Sequence, residues 1–264
     1  MLKEDLSVSI HKPQPSCASA WLLAANTVNQ EHHHEAQNVI IDVADPLVMT
    51  DDDREVVALV DQHLRDHGKY PVETVANTIF PQSLFSRHGS PAFYDIYKEK
   101  VLPRIAKGDW GRYFDRMISF PLQKKGKDIN PLRDIVDKMK IQVGGPRCFR
   151  NVYELTVYDP VRDAGPLMNR QCLSFLSFKL TDGPDRKLLL TAVYRNHYYI
   201  QRLLGNLIGL GRLMKFVADE VGVEVGSLTI VSTHADVDCP SNRREDIDEL
   251  LKEAMTIGNL RLVA

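Results

Sequence analysis

Cys172, Arg195 and Asn206 are the residues whose types and order could do chemistry in this sequence. A cysteine becomes a nucleophile as its thiolate, and a thiolate needs a cation beside it. Arg170 and Arg195 are candidates for that cation, the latter across a hairpin. Guanidinium also grips phosphate or carboxylate with two parallel bonds, which makes Arg195 a candidate anion clamp. A carboxamide such as that of Asn206 donates and accepts at once, so it can read a polar ring. Each residue has a plainer reading. Cys172 could be a small buried hydrophobe, Arg195 a surface arginine at a strand end, and Asn206 a helix N-cap. Gly205, Gly209 and Gly211 cost helix stability, and make sense where a ligand or another backbone lies close.

Other candidates are weaker. "GGPRCFRN" (144–151) sets Arg147 and Arg150 in a glycine-rich turn before a strand, either a solvated loop or an anion-binding one. "GRYFDRMISFP" (111–121) offers Tyr113 and Arg116 on what reads as an amphipathic helix with core aromatics. "EHHHE" (31–35) reads as a polar loop, because three adjacent histidines cannot all face one ion; no metal is expected. Cys17, Cys148, Cys172 and Cys239 form no CxxC pair. They are expected to be reduced thiols of a cytoplasmic protein. The formal net charge of −2 leaves no bulk footprint for nucleic acid or an anionic membrane. The N-terminal stretch lacks the long apolar run of a signal peptide, and "WLLAANTV" is too short to span a bilayer.

These side chains need elements to hold them. Residues 1–15 read as loose, and residues 17–30 as a helix. "NVIIDVADP" (38–46) reads as a strand stopped by proline, and 50–68 as a helix with Thr50 as cap and an acidic first turn. Residues 72–81 read as a short apolar helix or strand, and 91–107 and 110–119 as helical. Residues 130–142 read as a helix with Asn130 as cap and Pro131 in the first turn. Strands follow at 151–160, 171–180 and 187–195, the last two forming an antiparallel hairpin around "DGPD". In the strand "QCLSFLSFKL", alternation puts Cys172, Ser174, Leu176 and Phe178 on one face. A helix over 206–221, a strand over 227–237 and a helix over 241–255 complete the chain. The pattern is α+β: helices packed on a mixed sheet, in a single domain over 1–264.

Taken in order, these stretches resemble the thymidylate synthase superfamily. That family has a nucleophilic cysteine on a strand, then a hairpin, then an Arg-Ser-x-Asp run. An asparagine heading a helix comes eleven residues after the arginine, and a later strand ends in His-x-Tyr. Here "RQCLSFLSFKL" supplies Cys172, "YRNHYYIQRLLGN" supplies Arg195 and Asn206, and "STHADV" supplies His234. "GRYFDRM" resembles the family's Tyr-Gly-x-x-Arg run, and "GGPRCFRNVYELTVYDP" its Ser-Arg-Arg strand. The resemblance covers roughly residues 110–238 and rests on the ordered set more than on any one motif.

The resemblance implies a set of roles. Cys172 would attack C6 of a pyrimidine nucleoside monophosphate, and Arg195 would bind the phosphate. Arg147 or Arg150 would reach the phosphate of the other subunit in a homodimer. Asn206 would hydrogen-bond the ring, His234 and Asp236 would meet the sugar, and Tyr113 would help move the C5 proton. The family's catalytic glutamate would be Glu73 in "VETVANTIFP". The co-substrate would be 5,10-methylenetetrahydrofolate, donating a one-carbon unit as methyl or hydroxymethyl. The chain departs from the family at Leu173 and Ser177, where His and Gln are usual, at Tyr198 in place of Asp, and at Asp236 in place of Tyr. "LRLVA" (260–264) reads as a remnant of the segment that closes over the folate. A divergent relative is therefore expected. A nucleotide-binding protein on a synthase scaffold, without one-carbon chemistry, is the alternative, and an unrelated α+β domain is the third.

Overall fold

Strands with one apolar side assemble by burying that side under helices. The computed structural model describes residues 7–9, 12–105, 113–120, 129–145, 149, 151–165 and 170–257. Among them the first half runs β1 (Ser7–Ser9), α1 (Cys17–Asn29), β2 (Glu35–Val43), α2 (Asp51–Asp66), α3 (Val72–Ile79), α4 (Gln82–His88) and α5 (Ala92–Ile96). Then come α6 (Tyr113–Ile118), α7 (Pro131–Val143), β3 (Glu154–Thr156), α8 (Pro160–Asp163), β4 (Leu173–Leu180), β5 (Lys187–Tyr194) and β6 (His197–Tyr198). A π-helical turn, Tyr199–Leu203, leads into α9 (Leu204–Val221), followed by β7 (Glu224–Asp236) and α10 (Arg244–Thr256). The architecture is α+β, as the sequence pattern implies.

The sheet is mixed, in the order β1-β2-β7-β5-β4-β3, with the short β6 paired to β7. The long β7 is its spine, antiparallel to β2 and parallel to β5. β4 and β5 form the expected antiparallel hairpin, whose turn contains Gly183 at φ 99°. Burial alternates along β5, with Leu188, Leu190, Ala192 and Tyr194 buried. The other face carries a part-buried row across four strands, Phe175, Val193, Val231 and Ile40.

Helix starts follow their caps. Thr50 and Asp53 form a capping box for α2, and Asn130 caps α7 with Pro131 behind it. The 72–81 stretch is helical. The 151–160 stretch is a strand only over Glu154–Thr156. Beyond it the N–H groups of Val157 and Tyr158 both donate to the Ser174 carbonyl, so the ladder cannot continue. The face expected for β4 is also corrected. A register shift between Leu173 and Phe175 buries Leu173 and turns Ser174 partly outward, a bulge of the kind that re-aims side chains beside a site.

Gly209 explains the tight crossing of α3 over α9. A Cβ on Gly209 would lie 2.7 Å from the Ala76 carbonyl oxygen and 3.1 Å from its Cα. It is a neighbouring backbone that needs this glycine. Gly209→Ala should therefore lose stability despite the better helix propensity of alanine. Overpacking costs about 1–3 kcal/mol against about 1 kcal/mol gained. Thermal unfolding should show a midpoint lowered by a few degrees; an unchanged or raised midpoint would contradict the crossing.

Candidate active site

The C-terminal ends of β5, β6 and β7, the start of β4 and the turn into α9 meet at one end of the strands. Asp238, just past β7, holds that turn. Its Oδ1 accepts from the Ile200 and Gln201 N–H groups at 2.9 and 3.4 Å, and its Oδ2 from the Gln201 side chain at 2.8 Å. A carboxylate at the start of a helix meets unpaired N–H groups and the positive end of the helix dipole. From behind, Trp21 of α1 donates its indole N–H to the Tyr199 carbonyl at 2.8 Å.

Cys172 sits immediately before β4, not inside it, and is partly buried. Its carbonyl accepts the Arg195 N–H at 3.0 Å, which locks the two residues side by side. The Arg195 guanidinium also donates to the Gln171 and Arg170 carbonyls, at 3.0 and 3.2 Å. Two of its five N–H donors thus brace the entry to β4. The Tyr113 hydroxyl from α6 is buried beside Cys172 and acts on its thiol electrostatically. Burial pushes the ionisation of the Tyr194 hydroxyl up, with Tyr113 and Cys172 adding to it.

Arg202 is the site residue that the sequence reading missed. It lies in the π-helical turn, where its charge acts on Cys172, Tyr113 and Asp238, and its guanidinium sits 5.8 Å above the exposed Tyr70 ring. Its signal in the sequence was faint: a single charged residue within the otherwise uncharged "YIQRLLGN". Burial pushes the Cys172 thiol above its ordinary range, while Arg195, Arg202 and the Tyr113 hydroxyl pull it back only in part. Desolvation outweighs both cations.

Asn206 is not an N-cap. It is buried in the first turn of α9 and its Nδ2 donates to His197 Nε2 at 2.9 Å. Its Oδ1 is buried with no partner among the described residues. His234 is held at the end of β7 by the Asn196 side-chain oxygen and lies 3.3 Å from a Glu35 carboxylate oxygen. Asp236 is directly opposite Glu35 across the sheet. Glu73 lies on α3 and is exposed. Both its oxygens accept from Arg212, at 3.0 and 2.7 Å, and the pair ties α3 to α9. That bracing contact is what the structure shows of Glu73. Arg147 and Arg150, with Cys148 and residues 260–264, lie outside the described residues. In the "EHHHE" stretch, His34 Nδ1 contacts the Asn29 carbonyl. Among the described residues no group of three His, Cys, Asp or Glu side chains is arranged to hold a metal ion. No described helix is long and apolar enough to cross a membrane.

No family model matches the chain. Curated relatives do. A protein of Methanosarcina acetivorans named "Putative thymidylate synthase" is 25% identical over 139 residues, 53% of this chain and 60% of that protein. Proteins of the same name from Methanothermobacter thermautotrophicus and Methanosarcina mazei are 36% identical over 83 residues and 39% over 66. Those stretches cover 31% and 25% of this chain, and 36% and 29% of the relatives. The chain therefore spans from about three tenths to three fifths of the length of the relatives it matches. These relatives support a thymidylate synthase-like superfamily, as the ordered motifs implied.

Two outcomes follow from the electrostatics. Alkylation of Cys172 should still be accelerating above about pH 8.5, the ordinary thiol midpoint, and Arg202→Met should move its profile further up. An unmoved profile would remove Arg202 from the site. Burial, then Asp238 and Glu35, raise Asp236 to about 6 from an ordinary 3.8. Its protonated form is the one favoured by folding, so its contribution is full below pH 3.8 and is lost as pH rises through about 6. Asp236→Asn should stabilise the chain at pH 8, by roughly 1 kcal/mol after allowance for solvent screening, and leave it unchanged at pH 3.5. Denaturant midpoints at the two pH values measure this.

Proposed function

We propose that the chain transfers a one-carbon unit, methyl or hydroxymethyl, to C5 of a pyrimidine nucleoside monophosphate. The observation that carries this reading is the meeting of Cys172, Tyr113, Arg195 and Arg202 at one end of the strands, with a buried carboxamide on the adjoining helix. In this reading the Cys172 thiolate adds to C6, forming the S–C6 bond. The C5–C6 π electrons then move toward C5 and the O4 carbonyl. C5 attacks the one-carbon electrophile and loses its proton, and the C5–carbon unit parts from its carrier nitrogen as a methylene. Hydride (for methyl) or water (for hydroxymethyl) then adds to that methylene, and the electrons returning to the C5–C6 bond expel the thiolate from C6. Donors already fixed at the developing oxyanion lower the barrier without reorganising.

The residues assigned by resemblance keep their tasks here, Glu73 among them. Arg195 has donors left for a phosphate, and Arg202 adds a second cation to hold the thiolate. His234 and Asp236 lie at the end of β7, where they would meet the sugar. By resemblance the electrophile comes from 5,10-methylenetetrahydrofolate, which supplies the one-carbon unit when bound. Tyr70, half-exposed beneath Arg202, is the described ring suited to stack on a flat pterin. A homodimer fits the part-buried row Phe175, Val193, Val231 and Ile40 on the second face of the sheet. Arg147 or Arg150 would then complete the phosphate site of the partner copy.

The burial that keeps the Cys172 thiol protonated favours one other reading, nucleotide binding without chemistry. Tritium release from C5-labelled UMP, dUMP, CMP and dCMP, with and without methylenetetrahydrofolate, separates the two. Release is expected and should vanish in Cys172→Ser, because C5 exchange needs the C6 adduct. Calorimetric binding without release would favour the second reading, and neither binding nor release would sink both.

A further inference from the structure

Asn206 has a geometry that goes deeper than ring recognition. A carboxamide free to turn over by 180° can serve either pyrimidine. One orientation meets the ring N–H and carbonyl of uracil; the other meets the ring nitrogen and amino group of cytosine. Selectivity therefore needs something that stops the turn. His197, on β6, is placed to do so. It is 1% exposed, and its ring is stacked on Tyr194 at 4.0 Å with 9° between the planes. The edge of the stack is closed by Tyr199, at 5.6 Å and 89°. Its Nδ1 lies 3.0 Å from Ser232 Oγ, which also accepts the Tyr199 hydroxyl at 3.3 Å.

We propose that His197 is a positioning residue that locks the Asn206 carboxamide in one orientation, and that this lock is what separates uridylates from cytidylates. The inference rests on the nucleotide reading above. A neutral imidazole carries one N–H and one lone pair. With Nδ1–H donating to Ser232, Nε2 can only accept, so it fixes the Asn206 nitrogen on its own side. Oδ1 is then left as the buried acceptor, unpartnered among the described residues, and faces a ring N–H donor when a uracil is bound. Burial keeps the ring neutral, with its protonation pushed down to about 3, so the lone pair that holds the lock persists at working pH. Turning the amide over would set its oxygen against that lone pair.

Two measurements on the full chain test this. In the unmutated protein, nitrogen-15 NMR of labelled histidine should show His197 protonated on Nδ1 and bare on Nε2. A proton on Nε2 would overturn the proposal, since the amide would then face the other way. In the second, UMP, dUMP, CMP and dCMP are titrated against the native protein and against His197→Leu and His197→Gln. The native protein should prefer uridylates by about tenfold, and His197→Leu should lose most of that preference while still binding nucleotide. His197→Gln, whose side-chain oxygen can accept from Asn206, should recover part of it. Binding with an unchanged preference in His197→Leu would overturn the lock. If no nucleotide binds the native protein, the functional reading falls, and the NMR tautomer alone decides whether His197 orients the amide.

Discussion

The candidate site depends on one buried carboxylate. Asp238 receives two backbone N–H groups and a side-chain amide from the turn that opens the helical run before α9. That turn carries Arg202 at its middle and delivers Asn206 a few residues later. Without Asp238, the unpaired N–H groups at this helix start would face a buried environment, at about 1–3 kcal/mol for each group left unsatisfied. The strand that leads into Asp238 also pairs with β5 and β6, so the same element sets the height of Arg195, His197 and the helix start together. Positions far apart in sequence are thereby fixed relative to one another by β7 and its C-terminal carboxylate.

Around that anchor the site is built mostly from neutral groups. Tyr113, Tyr194 and Tyr199 are all pushed by burial well above the ordinary phenol range, and His197 well below the ordinary imidazole range. Charge enters through Arg195 and Arg202, which approach Cys172 from the strand end and from the helical turn. In such a setting the cost of ionising the thiol and the value of any donor at a developing oxyanion have the same origin, a low local dielectric. A raised thiol and a strong stabilisation of charge on a bound ring are two sides of one environment.

Much of this was legible in the sequence because it is local. Caps at Thr50 and Asn130, the hairpin around 182–185 and the eleven-residue spacing from Arg195 to Asn206 are short-range patterns. What was not legible depends on contacts between distant elements. The bulge at Leu173–Phe175 changes which side of β4 faces inward, and alternation alone cannot register an extra residue. Arg202 reads as an ordinary helix cation until the π-helical turn points it at Cys172. Glu73 was placed by analogy, and its partner Arg212 lies 139 positions away. Gly209 signalled a close approach, but only the crossing with α3 shows that the approaching group is backbone.

The same distinction applies to Asn206. Its residue type announces that it can read a ring, but a carboxamide alone is ambivalent between uracil and cytosine. What resolves the ambivalence is a set of three contacts made by residues from other elements: Ser232 on β7, Tyr194 on β5 and Tyr199 on the turn. Each leaves the His197 ring with fewer ways to sit, and a ring with one position has one free lone pair. Specificity at such a site belongs to the packing that removes the alternatives. A departure from a family pattern at a position beside the ring-reading residue can therefore change the reading while the reader itself stays the same.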